Sequence, residues 1–146
     1  MADTFRCVVA VPTRKLFDED VYYADVPSED GRFGVLAGHE LLVSLNGESG
    51  VCTLHLDEGG TKTEKFLLFH GATQMYNGIL TVLGSFGKNV KTIDADDLEK
   101  RSADLKKKIA EMESEADDVQ DKAEIEYSKR KLRWFEIQID YARNAN

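Results

Sequence analysis

Where the chain breakers fall constrains this sequence more than any other feature. All 11 glycines lie between Gly31 and Gly87, Pro12 and Pro27 precede them, and neither residue type occurs from Lys88 to Asn146. Glycine reaches backbone angles closed to other residues, and both residue types interrupt helices. The first part is therefore expected to be many short strands and the last part helical. The fold class that follows is α+β, an antiparallel β-sandwich over residues 1–90 followed by an antiparallel α-helical hairpin over 91–146.

Local patterns support this division. In the stretch FRCVVAV, Phe5, Cys7, Val9 and Val11 share one face, and VYYADV (21–26), VCTLHL (51–56), FLLF (66–69) and ILTVL (79–83) are β-branched or aromatic runs of strand length. Asn46-Gly47, Asp57-Glu58-Gly59-Gly60 and Asn77-Gly78 read as hairpin turns between them. FLLF, apolar on both faces, is expected deep between two sheets. Further on, Leu98, Ser102, Leu105, Ile109, Met112, Ala116, Val119 and Ala123 recur at spacings of three and four. A second seam, Ile125, Ser128, Leu132, Phe135, Ile139 and Ala142, is out of phase with the first. Two seams out of phase mean two helices or one long helix whose apolar stripe jumps; the favoured reading is a hairpin turning near Ser114-Glu115-Ala116-Asp117, with Ser114 capping the second helix. Asp94, Asp96 and Asp97 sit where the positive end of the first helix favours acids.

The totals exclude several functions. A net charge of −8 opposes binding to nucleic acid or to anionic lipid, both of which need an excess of Lys and Arg. No apolar run reaches the roughly 20 residues that cross a bilayer, so no lipid insertion is expected. Cys7 and Cys52, both in strand-like contexts, read as buried reduced thiols in a reducing compartment.

Nothing in the motifs indicates catalysis, a metal or a cofactor. Gly31, Gly34 and Gly38 lack the Lys-Ser or Lys-Thr and the helix that complete a phosphate loop, and read as the bends of a sheet corner. His39, His55 and His70 are too far apart for a metal-ligand motif. A hydrolase built on His39 and His70 would need a nucleophile or acid that the sequence does not name. Trp134, Phe135, Tyr127 and Tyr141 on the last helix read as core packing or as a protein-binding face.

The order of parts resembles the epsilon subunit family of bacterial F-type ATP synthase, called delta in mitochondria. The resemblance rests on VPTRKLF (11–17), VPSEDG (26–31) running into FGVL (33–36), Gly38-His39, FLLFHG (66–71) and LTVL (80–83). It implies a non-catalytic rotor subunit, peripheral on the bacterial plasma membrane or the matrix side of the mitochondrial inner membrane. It would couple the gamma subunit to the c-ring, with the hairpin regulating ATP hydrolysis, contacting alpha and beta, or being held by a small mitochondrial stalk subunit. The implied partner-binding residues are Gly31, Arg32, Phe33, Gly38, His39, Glu40 and Leu41 at the ring-facing corner. Trp134, Phe135 and Ile139, counted with the partner-binding residues, are expected to stitch the second helix to the sandwich or to its partner helix. The alternative is a free-standing β-sandwich adaptor whose coiled-coil tail dimerises.

Two departures from the family pattern matter. Arg32 stands where an acid is familiar, so contact with the ring's polar loops would be made with the opposite charge. Some bacterial members bind ATP through Ile/Leu-Asp-x-x-Arg-Ala, and here Ile93-Asp94-Ala95-Asp96-Asp97-Leu98 places Asp97 at the arginine position, where it repels phosphate. Calorimetric titration of the isolated chain with ATP is expected to show no saturable binding at physiological nucleotide concentration.

Overall fold

The computed structural model describes residues 3–38 and 41–144. It divides into two compact units, Met1–Thr92 and Ile93–Asn146. The first holds ten strands: β1 (Phe5–Val11), β2 (Arg14–Val21), β3 (Tyr23–Ser28), β4 (Gly31–Leu36), β5 (Leu42–Leu45), β6 (Ser49–His55), β7 (Thr63–Phe69), β8 (Ala72–Tyr76), β9 (Ile79–Leu83) and β10 (Phe86–Asn89). They form sheet A, in the order β2-β1-β9-β8-β5, and sheet B, in the order β10-β7-β6-β3-β4.

Alternation along the strands sends one face of each sheet into a shared core. Cys7, Val9, Leu80 and Val82 from sheet A meet Val26, Val35, Leu54 and Leu68 from sheet B, all of them buried. Phe17 and Phe66 meet edge to face at 5.8 Å. Cys7 and Cys52 are buried free thiols. Burial raises both thiol pKa values, that of Cys7 to about 12 with a smaller push from Asp18, so each stays protonated and unreactive at neutral pH.

Several details depart from the sequence reading. The pairing is antiparallel except for β1 with β9, which run parallel. A parallel pair is available here because a long excursion through sheet B separates the two strands, freeing their relative direction. VYYADV is not one strand: β2 ends at Val21 and β3 begins at Tyr23 in the other sheet. FLLF is buried throughout, yet only Phe66 and Leu68 join the core between the sheets, while Leu67 and Phe69 face the other way. Asn77-Gly78 is the two-residue hairpin expected of it, with φ of 57° and 77°.

Asn46-Gly47 is not a hairpin turn; it carries the chain from β5 in sheet A to β6 in sheet B. Asn46 is buried and closes this crossing through its side chain. Its Nδ2 donates to the carbonyls of His70 (3.1 Å) and Leu83 (2.8 Å), and its Oδ1 accepts from the buried Thr73 hydroxyl at 2.8 Å.

The second unit is an antiparallel hairpin of α1 (Ala95–Glu115) and α2 (Val119–Asn144). Asp94 caps α1 by accepting from the Asp97 N–H at 3.1 Å. The turn overlaps the expected stretch only at Ala116 and Asp117, since Ser114 and Glu115 still belong to α1, and the cap of α2 is Asp118, which accepts from the Asp121 N–H at 2.8 Å; Ser114 instead donates to the Glu111 carbonyl. The chain leaves the helix at Ala116, with ψ of 130°, and this resets the phase of the apolar stripe. Val119 and Ala123 accordingly end up exposed, although they continue the first seam in sequence. Arg143 bridges to Asp96 and Glu99 at 3.0 and 2.9 Å, tying the end of α2 to the start of α1.

Replacing Asn46 with Ala removes three buried hydrogen bonds at the crossing. Urea denaturation should show a loss of about 2–4 kcal/mol, from about 1 kcal/mol per bond and the desolvation of the groups left behind.

Candidate functional site

The strand registers of sheet A place its outward side chains in three rows. One runs Leu45, Ala72, Leu83, Ala10, Lys15; the next Val43, Gln74, Thr81, Val8, Asp18; the third Tyr76, Ile79, Arg6, Asp20. At the β5 side the face is open and mostly apolar, broken by Gln74 and Thr81 in its middle row: Leu41, Val43 and Leu45 are 69%, 70% and 56% exposed, and Tyr76, Ile79 and Leu83 are exposed beside them. Singly exposed apolar residues are ordinary, but a contiguous face of this kind on a sheet marks a docking surface.

Toward β2 the same face becomes ionic. Arg6 Nε lies 2.7 Å from Asp18 Oδ1, Lys15 Nζ lies 3.0 Å from Asp18 Oδ2, and Arg6 Nη1 lies 3.7 Å from Asp20. The hydrogen bonds from Lys15 and then Arg6 hold the Asp18 carboxyl below the usual carboxylate range, so the rim stays ionised at neutral pH. An apolar centre with a charged rim is the common anatomy of a protein–protein interface.

The residues that the resemblance named do not form one corner. β4 runs through the stretch, so Gly31, Arg32 and Phe33 begin the strand while Gly38 and Leu41 follow its far end, about 17 Å away at 3.3 Å per residue. His39 and Glu40 lie outside the described residues. Gly31 and Gly38 adopt φ of 124° and 82°, and Gly34 leaves room for the Tyr23 ring, whose hydroxyl a Cβ would strike. Gly31 and Gly38 therefore serve turns, as expected, while Gly34 serves a close contact inside β4 rather than a bend. Phe33 points inward against the core. Arg32 is paired within its sheet, its Nε 3.1 and 3.2 Å from the Asp25 carboxylate oxygens. Among the described members of the set, Leu41 alone joins the apolar face.

Trp134, Phe135 and Ile139 belong to the hairpin unit, the first two buried and the third half-buried. Arg101 and Lys131 lie over the Phe135 ring at 5.4 and 5.9 Å from its centroid. Grooves of about 240 and 360 Å³ on the hairpin are lined by charged side chains and hold no His or Cys. His55 packs edge-on to Tyr23 and His70 to Phe69. They stand at opposite ends of the β6–β7 pair and do not converge. Among the described residues no cluster of His, Cys, Asp or Glu could hold a metal ion, and no helix is long and apolar enough to cross a membrane.

The apolar face itself was not singled out from the sequence, although its signal was present. ILTVL is apolar on both faces, as FLLF is, and a strand of that kind needs cover on both sides. Replacing Val43 and Ile79 together with Thr should lower the fluorescence of a bound apolar dye. The unfolding midpoint should stay within about 0.5 kcal/mol of the original protein, since both residues are exposed.

The family model described as ATP synthase, Delta/Epsilon chain, beta-sandwich domain matches residues 4–85. An ATP synthase epsilon chain of Rickettsia bellii is 24% identical over 102 residues, which cover 69% of this chain and 93% of that protein. One from Afipia carboxidovorans is 33% identical over 91 residues, covering 62% of this chain and 64% of that protein. In fold, the chain is similar to one in the Euglena gracilis mitochondrial ATP synthase structure of OSCP, F1 and c-ring, with a TM-score of 0.57 and 19% identity over 92% of this chain and 80% of that one. A chain of the Tetrahymena thermophila mitochondrial ATP synthase central stalk and c-ring gives a TM-score of 0.52 at 11% identity, over 92% and 95% of the two chains.

Proposed function

The chain belongs to the delta/epsilon family of ATP synthase subunits, and from that premise we propose that it is a non-catalytic rotor subunit that couples gamma to the c-ring. The observation that carries this reading is the apolar outer face of β5, β8 and β9 with its ion-paired rim. It suits permanent cover by another subunit, which we assign to gamma. The turn that leads into Gly31 and Arg32 lies at the other end of β4 from Gly38 and Leu41 and beside Leu45, whose carbonyl accepts from the Glu29 N–H; we assign its outward side to a second partner, the polar loops of the ring. Torque passes between the two partners through the packed core of the sandwich.

The protein is peripheral in this reading, on either the bacterial plasma membrane or the mitochondrial inner membrane. The hairpin restrains ATP hydrolysis. Among the described residues, Ser102 Oγ and Gln138 Oε1 are buried with no protein hydrogen-bond partner, and exposed ion pairs close the base, so this interface is lightly held and can respond to neighbouring subunits.

Purification of the complex from native membranes tests the docking face. The original chain should co-elute with alpha, beta and gamma, and Ile79→Lys should reduce its occupancy roughly tenfold or more, as expected when a charge enters the centre of an interface. Co-elution of the lysine variant at the original level removes the reading, as does a self-associating species free of those subunits. Hydrolysis by the complex should rise when residues 94–146 are deleted.

A further inference from the structure

Four strands form the edges of the two sheets: β2 and β5 in sheet A, β10 and β4 in sheet B. Exposed edges invite unwanted strand pairing, and proteins blunt them with charge, glycine, proline or distortion. β2 carries Arg14, Lys15, Asp18, Glu19 and Asp20, β4 carries Gly31, Arg32 and Gly34, and β10 carries Gly87 and Lys88. β5, which reads Leu-Val-Ser-Leu, carries none of these.

The geometry shows which groups of β5 are open. The two-residue turn makes Tyr76 and Ile79 a hydrogen-bonded pair, so Tyr76, Gln74 and Ala72 turn their main-chain groups toward β9. Met75 and Thr73 then turn toward β5, where they face Leu42 and Ser44. Val43 and Leu45 must point their N–H and C=O away from the sheet. The Leu45 carbonyl does so, accepting from the Glu29 N–H at 3.0 Å. Among the described residues, no such bond reaches the main chain of Val43.

We propose that β5 accepts an extended strand from the partner that covers the apolar face, adding a sixth strand to sheet A through the main-chain N–H and C=O of Val43. The inference rests on the docking reading above and specifies how that docking is made. The incoming strand has apolar residues at alternate positions, which carry the exposed row of Leu41, Val43 and Leu45 one strand further. It bears a Lys or Arg where it passes Glu29 at the Leu45 end. A second copy of this chain is a poorer occupant, because two copies each of net charge −8 repel.

Hydrogen exchange at the Val43 amide, compared between the isolated chain and the complex purified from membranes, reads the added strand without any substitution. Protection should increase by at least about tenfold in the complex. Val43→Pro deletes an outward N–H without touching the β5–β8 ladder, so it should lower co-elution with the complex further than Val43→Ala, which trims the side chain and keeps the N–H. Equal exchange of Val43 in both states overturns strand addition; if Ile79→Lys still fails to assemble, docking on the face stands without it. A dimer of the isolated chain in sedimentation that Val43→Pro dissolves overturns the choice of partner, since the edge then takes a second copy.

Discussion

The structure depends on one set of side chains packed between two sheets. Cys7, Val9, Leu80 and Val82 on one side and Val26, Val35, Leu54 and Leu68 on the other use a single face of each sheet. Because that core is complete, apolar side chains on the outward face of sheet A are surplus to folding. Leu41, Val43, Leu45, Tyr76, Ile79 and Leu83 contribute nothing to the sandwich core and expose surface that water disfavours. The chain reaches both sheets only by crossing between them, and the buried hydrogen bonds of Asn46 close one crossing beside the strand that edges this face.

The division into a strand-rich part and a helical part was legible in the placement of Gly and Pro, because those residues act through local backbone geometry. The Asn77-Gly78 hairpin was legible for the same reason. Asn46-Gly47 has equal turn chemistry, yet it carries the chain from one sheet to the other. Its side chain reaches His70, Thr73 and Leu83, partners that no local pattern names. The second helix kept its seam, while its cap moved from Ser114 to Asp118. A short link of Ala116, Asp117 and Asp118 needs its first acceptor immediately before the helix, and Ser114 lies inside α1, whose end periodicity alone does not locate.

The candidate site was half legible. Gly31 to Leu41 drew notice through its glycines, but only the register of β4 against β3 shows that Gly31–Leu36 is a strand, which sets its two ends on different parts of the sandwich. Arg32, notable in sequence for its charge, is already engaged by Asp25. The docking face needs five strands from distant parts of the chain in the right order, and its members become neighbours only in that order. Strands that are apolar on both faces were the one available hint, and FLLF and ILTVL share it: Leu67 and Phe69 are buried on their outward side, whereas Ile79 and Leu83 are exposed on theirs.

The account turns on which molecule covers sheet A. The most direct measurement is photo-cross-linking in native membranes, with the reactive side chain placed at Ile79 and, as a control, at Lys62 in the β6–β7 turn. A product joining position 79 to gamma, absent from position 62, is what the account predicts. A product joining position 79 to a second copy of this chain, or equal products from both positions, contradicts it.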